Sequence, residues 1–201
     1  QHVIGSLKPG GLIIANGDAF TLEGTLPLLL ENLGKGRVIV GLGRGTAYNV
    51  YEYQGYGIDH EEALERYEEA EGIMLKAWTS PQGFRHEGRF WSLNVPRLRP
   101  SPYTKPHPYV IRAASSEDGA LHLARRGLPF LMNVQSNEIT AKRLALYRAT
   151  MAESGFDAAH IARCMDESWV WRNVVVAETD EEARRIGIPA FEAMQEHRKK
   201  L

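Results

Sequence analysis

Cysteine is nearly absent from this chain: Cys164 is the single one among 201 residues. One thiol cannot close an internal disulfide, and one thiolate cannot furnish a four-ligand thiolate metal centre, so disulfide scaffolds and such centres are excluded. A reducing cytoplasm is the expected setting. Charge of one sign is lacking too. The 24 basic and 25 acidic residues intermix to a net charge of −1, which leaves no basic footprint for nucleic acid or an anionic membrane. Long apolar runs are missing as well, since stretches such as 26–30 and 38–42 fall far short of the roughly 20 residues needed to cross a bilayer. The segment Gln1 to Gly11 lacks the charged region, apolar core and small-residue cleavage site of a secretory signal.

Two catalytic signals are absent besides. None of the seven histidines is paired at metal-ligand spacing: His60-Glu61-Glu62 is followed by Leu64 where a zinc-protease helix would need a second histidine. His86 and His107 stand singly, His122 falls inside a helical stretch as a structural residue, and no metal is expected. There is no Gly-x-Ser-x-Gly elbow of a serine hydrolase, and Cys164 reads as a small hydrophobe.

What is present is a rhythm of short apolar runs alternating with amphipathic stretches, the pattern of strand-helix units with a parallel sheet. Leu12 to Ala15 reads as a strand and Thr21 to Leu33 as a helix, despite Gly24 and Pro27. Arg37 to Leu42 is the clearest strand, β-branched and flanked by turn glycines. Glu61 to Trp78 is the clearest helix: Ala63, Tyr67, Ala70, Met74 and Ala77 form one apolar stripe, with Asp59 as N-cap and Glu62 completing a capping box. The proline-rich segment from Thr79 to Pro108 predicts an extended loop with a short strand over Phe90 to Leu93.

Tyr109 to Ala114 then reads as a strand, Glu117 to Arg126 as a helix stopped by Gly127, Pro129 to Val134 as a strand and Glu138 to Ser154 as a helix. A loop is expected over Gly155 to Asp166, a strand over Trp169 to Ala177, and a helix from Asp180 to Glu196 with a break or kink at Gly187 and Pro189. These make about five units, against the eight that close a (β/α) barrel in roughly 250 residues. A chain that starts on Gln1 and holds so few units is expected to be a single domain, 1–201, of a longer whole. An open barrel exposes strand edges and apolar helix faces, so homo- or hetero-oligomerisation is expected.

Gly41-Leu42-Gly43-Arg44-Gly45 ends the best strand, the position at which barrels build their sites. Glycines there let a flat ring approach the backbone, and Arg44 offers a planar fork to a phosphate. The same string also suits a tight turn carrying a surface arginine. It is not a Gly-x-Gly-x-x-Gly dinucleotide fingerprint, because position 46 is Thr. The segment that follows holds Tyr48, Tyr51, Tyr53 and Tyr56, able to wall a flat cofactor or to sit exposed. Ser115 and Ser116 lie between a strand end and a helix start. They suit an anion site at the helix N-terminus, or plain capping.

The ordered set of segments resembles the luciferase-like flavin-dependent monooxygenase family, most closely over residues 34–183. The matching pieces are Gly34-Lys35-Gly36-Arg37, Gly41 to Gly45, Glu52 to Ile58 with Gly55-Tyr56-Gly57, Arg66 to Glu69 through Lys76 to Thr79, and Glu87 to Trp91. After these come Lys105 to Pro108, Ala113 to Ser116, Gly127-Leu128-Pro129, and Val176 to Ala183. The resemblance implies a (β/α)8 barrel, here partial, that binds reduced FMN and uses O2 to oxygenate a small aldehyde, ketone or alkane. A separate reductase would supply the reduced flavin. It places Gly43 against the flavin ring, Arg44 and Gly45 beside the phosphate or ring edge, and Ala114, Ser115 and Ser116 at the phosphate-binding end. The same barrel also serves deazaflavin-dependent oxidoreductases and flavin-binding subunits without turnover. Residues 1–33 match the family only loosely, and the first strands, which usually carry the family's catalytic histidine, are expected to be missing from this stretch, so no acid or base is assigned.

Overall fold

The computed structural model describes residues 13–18, 25–45 and 50–198. In chain order the elements are β1 (Ile13–Asp18), α1 (Thr25–Leu33), β2 (Val38–Gly43), α2 (Val50–Gly55), α3 (Ala63–Thr79), and the strands β3 (Phe84–Glu87) and β4 (Ser92–Val95). There follow β5 (Tyr109–Ala114), α4 (Glu117–Arg125), β6 (Phe130–Met132), α5 (Asn137–Glu153), α6 (Ala158–Glu167), β7 (Trp169–Val170) and α7 (Asp180–Arg198). The main sheet runs β1-β2-β5-β6-β7, every pair parallel, and β3-β4 form a separate antiparallel hairpin. Once the hairpin is set aside, sheet neighbours are chain neighbours. That is the strand order of a barrel wall and not the reversed order of a doubly wound sheet, so the fold is α/β, a partial (β/α)8 barrel.

Strand alternation divides the wall into two faces. Val38, Val40 and Leu42 of β2, with Val110 of β5, pack into a core with Leu28, Tyr67 and Trp78. Ala114, Phe130 and Met132 join a second core with Ala120, Leu123, Ala124, Tyr147, Met151, Ile161 and Cys164. The intervening residues therefore face the barrel interior. Tyr147 is wholly buried and its hydroxyl donates to the Leu128 carbonyl at 2.8 Å, so its one polar atom is satisfied. Burial pushes the Cys164 thiol up, and it donates to the Gly127 carbonyl at 3.4 Å as a packed, inert group.

One charged residue breaks the apolar pattern of β5. Arg112 points at α3, where its Nε and Nη2 donate to Glu71 Oε1 at 2.7 and 2.5 Å, while Nη1 donates to the Val110 carbonyl at 3.1 Å. Both residues are buried. Two other carboxylates fasten the loops to the helices. Glu31 of α1, fully buried, accepts from the Tyr103 and Thr104 amides at 2.8 and 2.7 Å and so clasps the proline-rich segment. Glu69 of α3 accepts from His86 at 2.8 Å and from the Phe90 and Trp91 amides at 3.0 and 3.1 Å, holding the hairpin.

Several expectations require correction. The lone strand over Phe90 to Leu93 is a hairpin, because residues 84–87 alternate inward and outward as well. The loop expected at 155–166 contains α6, capped by Asp157, whose carboxylate accepts from the His160 amide at 2.7 Å. The strand over Trp169 to Ala177 stops after Val170, since β6 offers only Leu131 and Met132 to pair with. Residue 187 does not end α7, nor does Pro189: a proline lacks one amide, and the helix continues on both sides of it. Asp59 caps a 3-10 turn at 60–62 by accepting from the Glu61 amide, and Glu62 pairs with Arg66 at 2.7 Å instead of closing a capping box. Helix α1 begins at Thr25 with Pro27 in its first turn, where a missing amide costs little. Thr21 to Gly24 and Leu12 lie outside the described residues.

Removing one partner of the Arg112–Glu71 pair strands a buried charge. Glu71→Ala is expected to destabilise the chain by about 3–5 kcal/mol, read as a lower denaturation midpoint, and Glu71→Leu with Arg112→Met to recover most of it. At Glu69, burial raises the carboxyl but the His86 ring and the Phe90 and Trp91 amides outweigh it, so the net shift is downward. A lowered carboxyl contributes stability above its unfolded value and loses it as pH falls through the folded one. The protection of the Phe90 and Trp91 amides, measured relative to their intrinsic exchange rates at each pH, should therefore fall in acid, and Glu69→Gln should flatten that dependence.

Candidate functional site

A cleft of about 430 Å³ opens at the C-terminal ends of β2, β5 and β6. Its floor is made by the interior-facing residues Gly41, Gly43, Ile111, Ala113 and Leu131. Parallel register sets their neighbours: Gly41 pairs with Ile111 and Ala113 with Leu131. Around this floor stand Arg44, Gly45, Ala114, Ser115, Ser116 and Gly119, with Asn133 and Trp171. Gly43, Arg44, Gly45, Ala114, Ser115 and Ser116 thus share one site although more than 60 residues separate the two groups in the chain.

The glycines of the turn have different reasons for being there. A Cβ added to Gly43 would meet only the Ala113 methyl, at 3.6 Å, an ordinary contact. The backbone does not require glycine at 43; its absent side chain leaves a flat bed for a ligand. Gly45 has φ +85, and a Cβ there would come within 2.5 Å of the Tyr53 hydroxyl. Tyr53 is buried, and its hydroxyl donates to the Arg44 carbonyl, so α2 is pinned to the turn. Among the described residues no carboxylate pairs with the exposed Arg44 guanidinium, which remains available at the rim.

At the other end of the cleft, Ser116 is the N-cap of α4. Its Oγ accepts from the Gly119 amide at 3.1 Å, so the capping role of this hydroxyl is real. The amides of the first helical turn still lack intrahelical acceptors and carry the positive end of the helix dipole. Ser115 lines the cleft beside them, and its carbonyl accepts from Arg143 at 3.3 Å.

Two of the four tyrosines, Tyr53 and Tyr56, do not wall the cleft. Tyr53 serves the Arg44 carbonyl, Tyr56 is 83% exposed, and neither lines the cleft; Tyr48 lies outside the described residues. Sequence reasoning missed Leu131, Asn133 and Trp171. The first two follow from the period-two pattern of β6. Trp171 follows β7, its amide donating to the Met132 carbonyl at 2.9 Å and its indole 60% exposed over the cleft. Among the described residues that line the cleft, none is a carboxylate or a histidine. Among the described residues no three His, Cys, Asp or Glu side chains gather as a metal site, and no helix is long and apolar enough to cross a membrane.

The family model described as luciferase-like monooxygenase matches residues 28–200. Monooxygenase RslO1 from Streptomyces bottropensis is similar at 26% identity and a TM-score of 0.67, over 90% of this chain and 54% of that one. The oxygenating constituent of 3,6-diketocamphane monooxygenase from Pseudomonas putida, solved in complex with FMN, shares 20% identity and a TM-score of 0.63, over 83% of this chain and 48% of that one. An F420-dependent secondary alcohol dehydrogenase in complex with an F420-acetone adduct shares 18% identity and a TM-score of 0.56, over 68% of this chain and 41% of that one. The chain spans about half the length of the solved structures it resembles. No curated protein matches it.

The two glycines should part experimentally. Gly45→Ala is expected to cost about 1–2 kcal/mol, from the left-handed backbone and the Tyr53 collision. Gly43→Ala is expected to hold stability or raise it by up to about 1 kcal/mol. Chemical denaturation of the two variants checks both.

Proposed function

The chain belongs to the luciferase-like monooxygenase family, and on that premise we propose that it uses reduced FMN and O2 to oxygenate a small organic substrate of the aldehyde, ketone or alkane class. The observation that carries this reading is the bed at Gly43: a stretch of floor with no side chain at that position and only the Ala113 methyl beside it, between the Arg44 guanidinium and the N-terminus of α4. A planar ring fits over Gly43 and Ala113, and an anionic tail fits the amides beyond Ser115 and Ser116. These residues match the cofactor's shape and charge, with Arg44 and Gly45 at the phosphate or the ring edge.

When bound, the flavin supplies the oxygen chemistry. The chain's share is to orient the ring and to keep water from the reacting face. Ile111, Leu131 and Trp171 provide apolar surface for that purpose, and Asn133 a hydrogen-bonding group. The glycine, alanine and apolar residues that line the cleft suit chemistry borne by the cofactor. Reduced FMN would come from a separate reductase.

A second reading draws on the likeness to the F420-dependent dehydrogenase: a deazaflavin in the same cleft, transferring hydride without oxygen. Binding separates the two. Purified protein is expected to quench FMN fluorescence saturably and, with reduced FMN and an aldehyde panel, to consume O2 faster than the free cofactor. Saturable binding of deazaflavin with none of FMN would overturn the monooxygenase reading, and flavin binding without substrate-dependent O2 uptake would reduce the role to flavin holding. Gly43→Leu, which fills the bed, is expected to weaken FMN binding about ten-fold or more while the fold persists.

A further inference from the structure

Arg143 of α5 is a buried cation without a counter-ion. It is 8% exposed, and the stripe it shares with Thr140, Tyr147 and Met151 turns it into the protein. Its Nη1 donates to the Ser115 carbonyl at 3.3 Å, while its Nε has no partner. Among the described residues no carboxylate lies within ion-pair distance of it, in contrast to Arg112, which Glu71 neutralises. A buried charge left uncompensated is costly, and proteins retain one where something else supplies the opposite sign.

The position of Arg143 indicates what that something is. Ser115, whose carbonyl it holds, lines the cleft at its anion-binding end, beside the first turn of α4. The guanidinium therefore sits one residue behind the place where a ligand's negative tail would lie, and its field adds to that of the helix terminus. Glu117, in the first turn of α4, has Lys142 at 3.9 Å on the far side. Arg44 stands at the glycine turn, exposed and screened by solvent, whereas Arg143 acts through protein.

We propose that Arg143 is a positioning residue that makes this cleft select flavins bearing a phosphate: it fixes the Ser115 backbone and supplies the buried positive charge that the phosphate neutralises. This rests on the flavin reading of the cleft. FMN and riboflavin differ only in the phosphate, so the ratio of their affinities isolates the effect from any general loss of structure.

The experiment titrates the full chain and its variants with FMN and with riboflavin, following flavin fluorescence, and repeats the pair with a deazaflavin with and without its phosphate. The wild-type protein is expected to prefer FMN by about ten-fold or more, and Arg143→Met to lose most of that preference while riboflavin affinity changes by less than about three-fold. Arg143→Lys, which keeps charge without the planar fork, is expected to retain part of it. It carries the test should Arg143→Met not fold. A folded variant that keeps the wild-type ratio overturns the assignment, as does a wild-type protein that binds FMN and riboflavin equally. A wild-type protein that binds no flavin or deazaflavin at all overturns the flavin reading beneath it.

Discussion

The barrel wall depends on the ion pair that crosses from β5 to α3. Arg112 and Glu71 fix which face of β5 is outward, and a strand's faces are strictly alternate, so the same contact decides that Ile111 and Ala113 face inward. A slip of one residue would drive the guanidinium into the cleft and a small side chain against the helix. An apolar pair could pack here with equal stability. It would not exclude the slipped register so sharply, because a misplaced Leu costs less than a misplaced charge. From α3 the order spreads: Glu69 on the next residue face holds the hairpin, while Glu31 on α1 holds the proline-rich segment.

Three buried or half-buried carboxylates are framework. Glu31, Glu69 and Glu71 are each committed to backbone amides, a histidine or a guanidinium, and all three lie away from the cleft lining. Tyr67, whose phenol burial pushes up and Glu71 pushes further, belongs to the same framework. These three carboxylates hold loops and a strand to helices, and the cleft floor is left to glycine, alanine and a few apolar side chains. That division of labour is what a cofactor-borne reaction asks of a scaffold.

Much of this was legible in the sequence where local pattern and tertiary demand agree. β5 falls at Tyr109 to Ala114 as read, and α4 and α5 lie within one residue of expectation, because clear caps at Ser116 and Ser136 and a positive-φ glycine at 127 mark their ends. Where the signals are weak, the reading failed. Helix α6 buries only Ile161 and Cys164, too sparse a stripe to stand out between polar residues. β7 is short because its partner is short, a fact of pairing that no local window contains. The site was half legible: the glycine turn and the serines announce themselves by type. Trp171 and Arg143 enter only through folding, Arg143 across 28 residues to Ser115.

Helix α5 touches both rims of the cleft. Arg143 holds Ser115 at one, and Thr140 accepts from Arg172, next to Trp171, at 2.9 Å on the other; Arg172 also donates to the Gln135 carbonyl at 3.1 Å. A single rigid rod is thus bolted to two walls that belong to different strands. The spacing of the two rims is thus referred to a single turn of one helix, since Thr140 and Arg143 stand three residues apart on α5.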